Sequence, residues 1–252
     1  MHTNTGHDAG CQGLDDCPVY ILAGGQSRRM EWPKALLPFP DVPLLLVLVD
    51  RLRVASRCVY VVCSPVGFSA ASDAVQITLS DYCFNGNVLV DPIPNGGPLG
   101  GVACAVEHTR QLGRPRCLVI PCDMPFLTTT FLARLASTHR TAPAVIPLTA
   151  DGKPTGVCAA YNVAILPALS AFLRQGGRRV RDFLQTIPAA PLPFPDYADL
   201  PNADRLLYNL NTPADYRQAL LWHQEARLEN SLSDESSSQP RQQFPKIRLD
   251  HQ

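Results

Sequence analysis

No stretch of this chain approaches the ~20 consecutive apolar residues that a membrane-spanning helix needs. The longest candidate, Pro43 to Val49, runs straight into Asp50, Arg51 and Arg53. The first seventeen residues hold no apolar core of a secretory signal, so the expected setting is cytoplasmic, with no membrane partner. Formal net charge is zero and aromatic residues make up only 7% of the chain, a balance that argues against nucleic acid as the main partner. Nine cysteines, at 11, 17, 58, 63, 83, 104, 117, 122 and 158, include no C-x-x-C pair. Most sit inside apolar runs and read as small buried hydrophobes kept reduced, not as a zinc or disulfide framework. Two familiar phosphate loops are also missing: neither G-x-x-x-x-G-K-[ST] nor G-x-G-x-x-G occurs.

What is present is an apolar content of 46% over 252 residues, enough to build the core of one α/β domain. Residues 1–17 and 228–252 are polar and aperiodic and are expected to be disordered, leaving 18–227 as the folded unit. Short β-rich runs at Val19–Ala23, Cys58–Cys63, Val88–Val90 and Cys117–Pro121 predict buried strands, with two more at Ala144–Pro147 and Val157–Tyr161. Helices are predicted between them. One is begun by Pro43 and capped by Asp41, one starts at Pro98, one runs from Thr128–Thr130 through His139, and one covers Asn162–Arg174. A short helix ends near Gln185, and the last is capped by Thr212 with Pro213 in its first turn. Ser64–Phe84 offers a weak helix at best. Pro188–Pro201, with five prolines in fourteen residues, reads as an extended connection. The alternation predicts a doubly wound, mainly parallel sheet.

Several strands of such a sheet end in residues that can do chemistry, where open α/β sheets place ligands. After the first strand, Gly24 and Gly25 lack Cβ atoms and let backbone N–H groups approach a ligand, and Arg28, Arg29 and Lys34 follow within ten residues. A polyphosphate cradle fits this pattern; so does an ordinary glycine turn with a solvated basic rim. Gly96, Gly97 and Pro98 open a helix whose small residues Gly100, Gly101, Ala103 and Ala105 allow either an anion site at its N-terminus or close packing alone. Asp123, just past the fourth strand, is suited to hold Mg²⁺ beside substrate phosphates, or to cap the turn before Pro125. Asp91, Asn209 and Asn211 complete the candidate reagents. Arg178 and Arg179 form a second basic turn, read as an anion contact or as a solvated loop.

Leu22, Ala23, Gly24, Gly25, Ser27, Arg29, Met30 and Lys34 fall in register with LAGGxSxRMGxxK, and the chain resembles the molybdenum cofactor guanylyltransferase family on that signature. Glu31 stands where the family usually has glycine. The resemblance runs from about Val19 to Leu221 and implies a Rossmann-like nucleotidyltransferase fold in a single domain. PCDMPFL, Pro121 to Leu127, is similar to the family's metal-binding motif, which makes Asp123 the implied Mg²⁺ ligand. GGPLGG resembles the loop that helps hold guanine, implicating Gly97, Pro98 and Leu99, with Gly100 in place of the usual alanine. Asp91 matches an aspartate at the end of the preceding strand. KPTGVCAAYN, GGRRVRDFL and YNLNTPAD match later segments, in which Asn209 and Asn211 would lie near metal and substrate. The base-side asparagine has no clear counterpart, and Ser64 is the nearest polar candidate.

The implied reaction joins GTP to molybdenum-molybdopterin, giving the guanine dinucleotide cofactor and pyrophosphate. Lys34, Arg29 and Mg²⁺ would stabilise the charge, while the Gly24 and Gly25 backbone fixes geometry, with Leu22 and Ala23 beside it in the nucleotide site. Arg178 and Arg179 would contact the anionic pterin, or a molybdoenzyme or cofactor-biosynthesis protein as partner. A cytidylyltransferase on the same cofactor is the main rival, although LAGG rather than LAAG favours guanine. Another small-molecule nucleotidyltransferase is a further alternative. A non-catalytic nucleotide or cofactor chaperone is the third, and the retained Lys34 and Asp123 argue against it.

Overall fold

A computed structural model describes residues 14, 16–24, 33–65, 67, 69–82, 84, 87–93 and 96–234. Its centre is a run of strands buried on both faces, as continuous apolar sequence requires. These are β1 (Val19–Leu22), β2 (Val59–Cys63) and β4 (Arg116–Pro121). With β3 (Val88–Val90), β5 (Ala144–Pro147), β6 (Ala159–Asn162) and β7 (Ala190–Leu192) they form one seven-stranded sheet in the order β3-β2-β1-β4-β6-β5-β7. β6 runs antiparallel to both of its neighbours, and the other pairings are parallel.

Alternation along β1 divides the core in two. Val19 and Ile21 face a cluster with α1 (Leu44–Ala55), α2 (Ala70–Asp81) and α4 (Thr129–Ser137), through Leu45, Val75 and Phe131 among others. Tyr20 and Leu22 face the opposite cluster, built by α3 (Gly97–Gln111), α5 (Leu166–Arg174) and α6 (Val180–Leu184), through Val102, Leu169 and Phe183. Helices on both faces of a mainly parallel sheet are what the strand and helix alternation predicts. A final helix, α7 (Pro213–Asp234), packs Ala219 against Phe39 and Leu44.

Capping explains several boundaries. Thr128 Oγ1 accepts from Phe131 N at 3.2 Å, and Asn162 Oδ1 accepts from Ala164 N at 2.9 Å. Thr212 Oγ1 accepts from Asp215 N, while Asp215 Oδ2 accepts from the N–H groups of Thr212 and Asn211 at 2.8 and 3.0 Å. That reciprocal pattern fixes the chain just after the two candidate asparagines.

Five expectations need correction. Asp41 does not cap α1: Pro43 occupies the N-cap position without any side-chain bond, and its carbonyl accepts from Leu46 and Val47 N. Ser64–Phe84 holds a full twelve-residue helix, α2, capped by Ser69, whose oxygen accepts from Ser72 N. Its pattern is weak because Ile77 points to solvent while Ser72 is buried. The helix after Thr128 stops at Ser137, and His139 adopts a positive φ of 41°. Pro188–Pro201 is not merely extended: Ala190–Leu192 adds the outermost strand beside β5, an edge position where Pro191 is tolerated. Finally, α7 continues to Asp234, past the Leu228 at which a disordered tail is expected.

Among the described residues no helix is long and apolar enough to cross a membrane. The seven described cysteines are free thiols. Burial pushes the thiols of Cys63, Cys117 and Cys158 up to about 12, so almost no reactive thiolate exists at neutral pH. Maleimide labelling at pH 7, read by mass spectrometry, is expected to spare these three in the native protein and to modify all of them in denaturant. Rapid native labelling of Cys117 would contradict the packing of the sheet's centre.

Candidate active site

The C-terminal ends of β1 and β4 lie side by side because these strands are parallel neighbours, with Leu22 opposite Pro121. β1 hands the chain to Gly24. An alanine Cβ there would stand 2.7 Å from Ser64 Oγ and 3.2 Å from Ser64 N, so any side chain at this crossing would force Ser64 to shift. Ser64 is itself held, since its carbonyl accepts from Gln76 Nε2 at 2.8 Å.

Lys34 opens a 3-10 turn, Lys34–Leu36, that leads towards α1. Its ammonium donates to Asp123 Oδ2 at 2.8 Å and to Asn211 Oδ1 at 2.9 Å. The pair is mostly shielded, with 19% of the lysine side chain and 13% of the aspartate side chain exposed. Asp123 is fixed from behind as well: its carbonyl accepts from Leu210 N at 2.9 Å, which brings the Asn209–Asn211 segment across the end of β4. Two oxygens are left over. Asp123 Oδ1 and Asn209 Oδ1 are buried without a hydrogen-bond partner, and such atoms cost free energy unless something meets them.

Hard oxygens of this kind suit Mg²⁺, which takes one or two protein ligands and completes its shell from phosphates and water. The residues present therefore fit a divalent cation. No cluster of three or more His, Cys, Asp or Glu side chains able to hold a metal exists among the described residues. Around these groups lies a cleft of about 280 Å³, lined by Leu22, Ala23, Gly24, Lys34, Pro98, Asp123 and Asn209, together with Gly156 and Val157. The neighbouring Cys122 thiol is pushed up by burial and by the charge of Asp123, which leaves it inert.

Other candidates stand outside that lining. Asp91 closes β3; its Oδ1 accepts from Ile93 N at 2.8 Å, and burial pushes its carboxyl above the usual range. Gly100 packs directly on it: a Cβ there would lie 2.5 Å from Asp91 Oδ2. Leu99 is fully buried in the core, backbone included. Gly97 has φ +60°, and its position for a Cβ is 3.5 Å from Arg178 O, so the second basic turn touches the first turn of α3. The Arg178 guanidinium folds back onto the end of α5, donating to Leu173 O and Gly177 O. Arg179 is exposed at the start of α6. Gly25 and Arg29 lie outside the described residues, as do Ser27, Arg28, Met30 and Glu31.

Sequence reasoning gave no role to three contributors. Gly156 and Val157 reach the cleft because β6 is antiparallel to β4, a reversal that the apolar runs do not reveal. Arg51, met as one helical position among apolar residues of α1, donates to Pro125 O and Leu127 O beside Asp123. A cation inside an apolar stripe was the available signal.

A doubly wound sheet carrying a lysine, a carboxylate and open hard-oxygen positions in a cleft at its strand ends has the groups that nucleotidyl transfer needs, a cation for phosphate charge and ligands for a divalent metal. Residues 19–190 match the family described as MobA-like NTP transferase domain, and the chain belongs to that family. It is similar to a molybdenum cofactor guanylyltransferase of Rhizobium meliloti, 30% identical over 211 residues, covering 81% of this chain and 91% of that protein. A guanylyltransferase of Sinorhizobium fredii gives 30% identity, covering 85% and 94% of the respective chains. Among solved structures, molybdopterin-guanine dinucleotide biosynthesis protein A of Archaeoglobus fulgidus superposes with a TM-score of 0.69 at 20% identity, covering 82% of this chain and 99% of its own.

The tight contact between Gly100 and Asp91 can be tested directly. Gly100→Ala is expected to destabilise the fold by about 1–3 kcal/mol, the usual cost of overpacking, and the loss should shrink when Asp91→Ser is introduced alongside it. Denaturant unfolding of the two single variants and the double variant measures this coupling. Strictly additive losses would show that the two residues do not press on one another.

Proposed function

We propose that the protein transfers GMP from GTP to the phosphate of molybdenum-molybdopterin, forming the guanine dinucleotide cofactor and releasing pyrophosphate. The observation that carries this reading is the Lys34–Asp123 pair, set in a cleft at the strand ends beside two unpartnered buried oxygens. Relatives named as guanylyltransferases over most of the chain support the choice of substrates.

The chemistry asks little covalent work of the protein. An oxygen of the acceptor phosphate attacks the α-phosphorus of GTP, the bond to the bridging oxygen breaks in line, and pyrophosphate departs with the electron pair. Charge grows on the phosphate oxygens, and positioning with electrostatic stabilisation lowers the barrier. Gly24 keeps the end of β1 free of side chain so that phosphate can approach backbone. The Lys34 ammonium, preorganised by Asp123 and Asn211, offers positive charge from the side of the cleft. Arg29 is a second cation in this proposal. Asp123 and Asn209 would hold a divalent cation through their free oxygens, Mg²⁺ by the hardness of those donors, and the ion would supply charge neutralisation at the triphosphate. A structural neighbour from Mycobacterium tuberculosis is a manganese complex, with a TM-score of 0.56, which supports a divalent metal.

Gly97, Pro98 and Leu99, with Ser64 and Asp91 nearby, are assigned to the guanosine side. Arg179 and the Arg178 turn, in contact with Gly97, are assigned to the anionic pterin or a protein partner that receives it. Guanine presents a donor and acceptor pattern distinct from cytosine and adenine, so a loop built for it leaves polar groups unpaired with another base. Pyrophosphate release in the presence of molybdopterin and Mg²⁺ is therefore expected with GTP and to be much slower with CTP or ATP. Equal rates with CTP would move the assignment to a cytidylyltransferase; nucleotide binding without any pyrophosphate release would leave a carrier.

Lys34 separates those outcomes further. A charge that acts mainly in the transition state affects turnover selectively, and losing one commonly costs on the order of 3 kcal/mol, about a hundredfold. Lys34→Ala should lower single-turnover transfer by that factor while weakening GTP binding much less. Equal losses in rate and affinity would make Lys34 a ground-state binding residue.

A further inference from the structure

The loop that carries Asp123 has little backbone structure of its own. Between Cys122 and Leu127 the main-chain bonds among the described residues are Cys122 N to Leu22 O, Leu210 N to Asp123 O, and a long Leu127 N to Met124 O contact of 3.5 Å. Pro125 has no N–H to contribute. Ligand geometry nevertheless needs a carboxylate held within a few tenths of an ångström.

Arg51 supplies the missing restraint. Its Nη1 donates to Pro125 O at 2.6 Å and to Leu127 O at 2.7 Å, bridging two carbonyls of the segment that follows Asp123. Burial alone pulls its basicity below the usual arginine range, with no carboxylate opposing that effect. A partly buried guanidinium whose Nη1 is given to two backbone carbonyls costs desolvation to keep, and its bonds are charge-assisted and strong. The helix that bears it is also tied to the other half of the site. Leu44 N, at the start of α1, donates to Leu37 O at 2.8 Å, directly after the Lys34–Leu36 turn. One helix thus joins the lysine turn at its beginning to the aspartate loop near its end.

We propose that Arg51 is a positioning residue, which sets the Asp123 carboxylate against Lys34 by clamping the 125–127 backbone from α1. The proposal rests on the reading of Asp123 as a metal ligand. Its consequence is that Arg51, which belongs to neither substrate's contacts, governs metal affinity and turnover more than nucleotide affinity.

Mn²⁺ binding followed by electron paramagnetic resonance on the full chain tests this, with Arg51→Met, Arg51→Lys and Asp123→Asn beside wild type. Removing a group that orients a ligand typically costs about 10–100-fold in metal affinity. Arg51→Met is expected to lose at least the lower part of that range, Arg51→Lys to lie between it and wild type, and Asp123→Asn to bind least. In transfer assays Arg51→Met should lose kcat with KM for GTP nearly unchanged, and added metal should restore part of the rate. Circular dichroism fixes the temperature at which each variant is folded; if Arg51→Met does not fold, Arg51→Lys carries the comparison, with a metal affinity below wild type expected. Equal Mn²⁺ affinity in wild type and the folded Arg51 variants would overturn the positioning role and leave the Asp123 reading standing. A wild-type protein that binds no Mn²⁺ would overturn both.

Discussion

The ion pair between Lys34 and Asp123 is the constraint on which the site depends. The Asp123 carboxylate is largely shielded from water, and without the Lys34 ammonium it would be a buried charge of the kind that costs several kcal/mol. Yet the pair is incompletely satisfied. Only Oδ2 of the carboxylate meets the ammonium, while Oδ1 and the Asn209 amide oxygen are buried without partners. Each such atom costs about 1–3 kcal/mol. A ligand that supplies positive charge to those oxygens relieves that cost as it binds, which couples the stability of the site to its occupation.

Sheet topology explains why these groups meet. With β2 and β4 both flanking β1, the chain leaves the centre in opposite directions, and a crevice opens at the strand ends where the order reverses. Gly24 extends β1 into that crevice, Ser64 extends β2 and Asp123 extends β4. The antiparallel β6 adds a fourth contributor. Because Ala159 pairs with Val119, the start of β6 lies near the end of β4, so Gly156 and Val157, which precede it, arrive at the same edge. α7 then closes the arrangement, since the cap formed by Thr212 and Asp215 fixes Asn211 within reach of Lys34.

Strands with unbroken apolar runs were legible because burial on both faces leaves no alternative composition, and β1, β2 and β4 lie where those runs stand. Lys34, Asp123, Asn209 and Asn211 were grouped by the family resemblance, and the fold brings them together although 177 residues separate Lys34 from Asn211 in the chain. What failed had a physical reason in each case. α2 was obscured since its buried face includes Ser72, and β7 was hidden by prolines that only an edge strand accepts. Arg51 could be placed on a helix but not assigned a task, because its acceptors are backbone carbonyls, which have no sequence identity.

Gly100 carries the same lesson one step further. The family resemblance marks it as a departure from alanine and gives no reason for it. Its surroundings supply one. Asp91 Oδ2 lies where a Cβ on residue 100 would intrude, and Asp91 Oδ1 is already committed to the Ile93 N–H. A carboxylate held by one backbone donor and pressed against a helix backbone cannot turn away freely, so Gly100 is the residue that this placement of Asp91 permits. The departure is a packing partner of the aspartate: glycine at 100 and the inward carboxylate at 91 form one arrangement. A chain with alanine at that position must seat its aspartate differently.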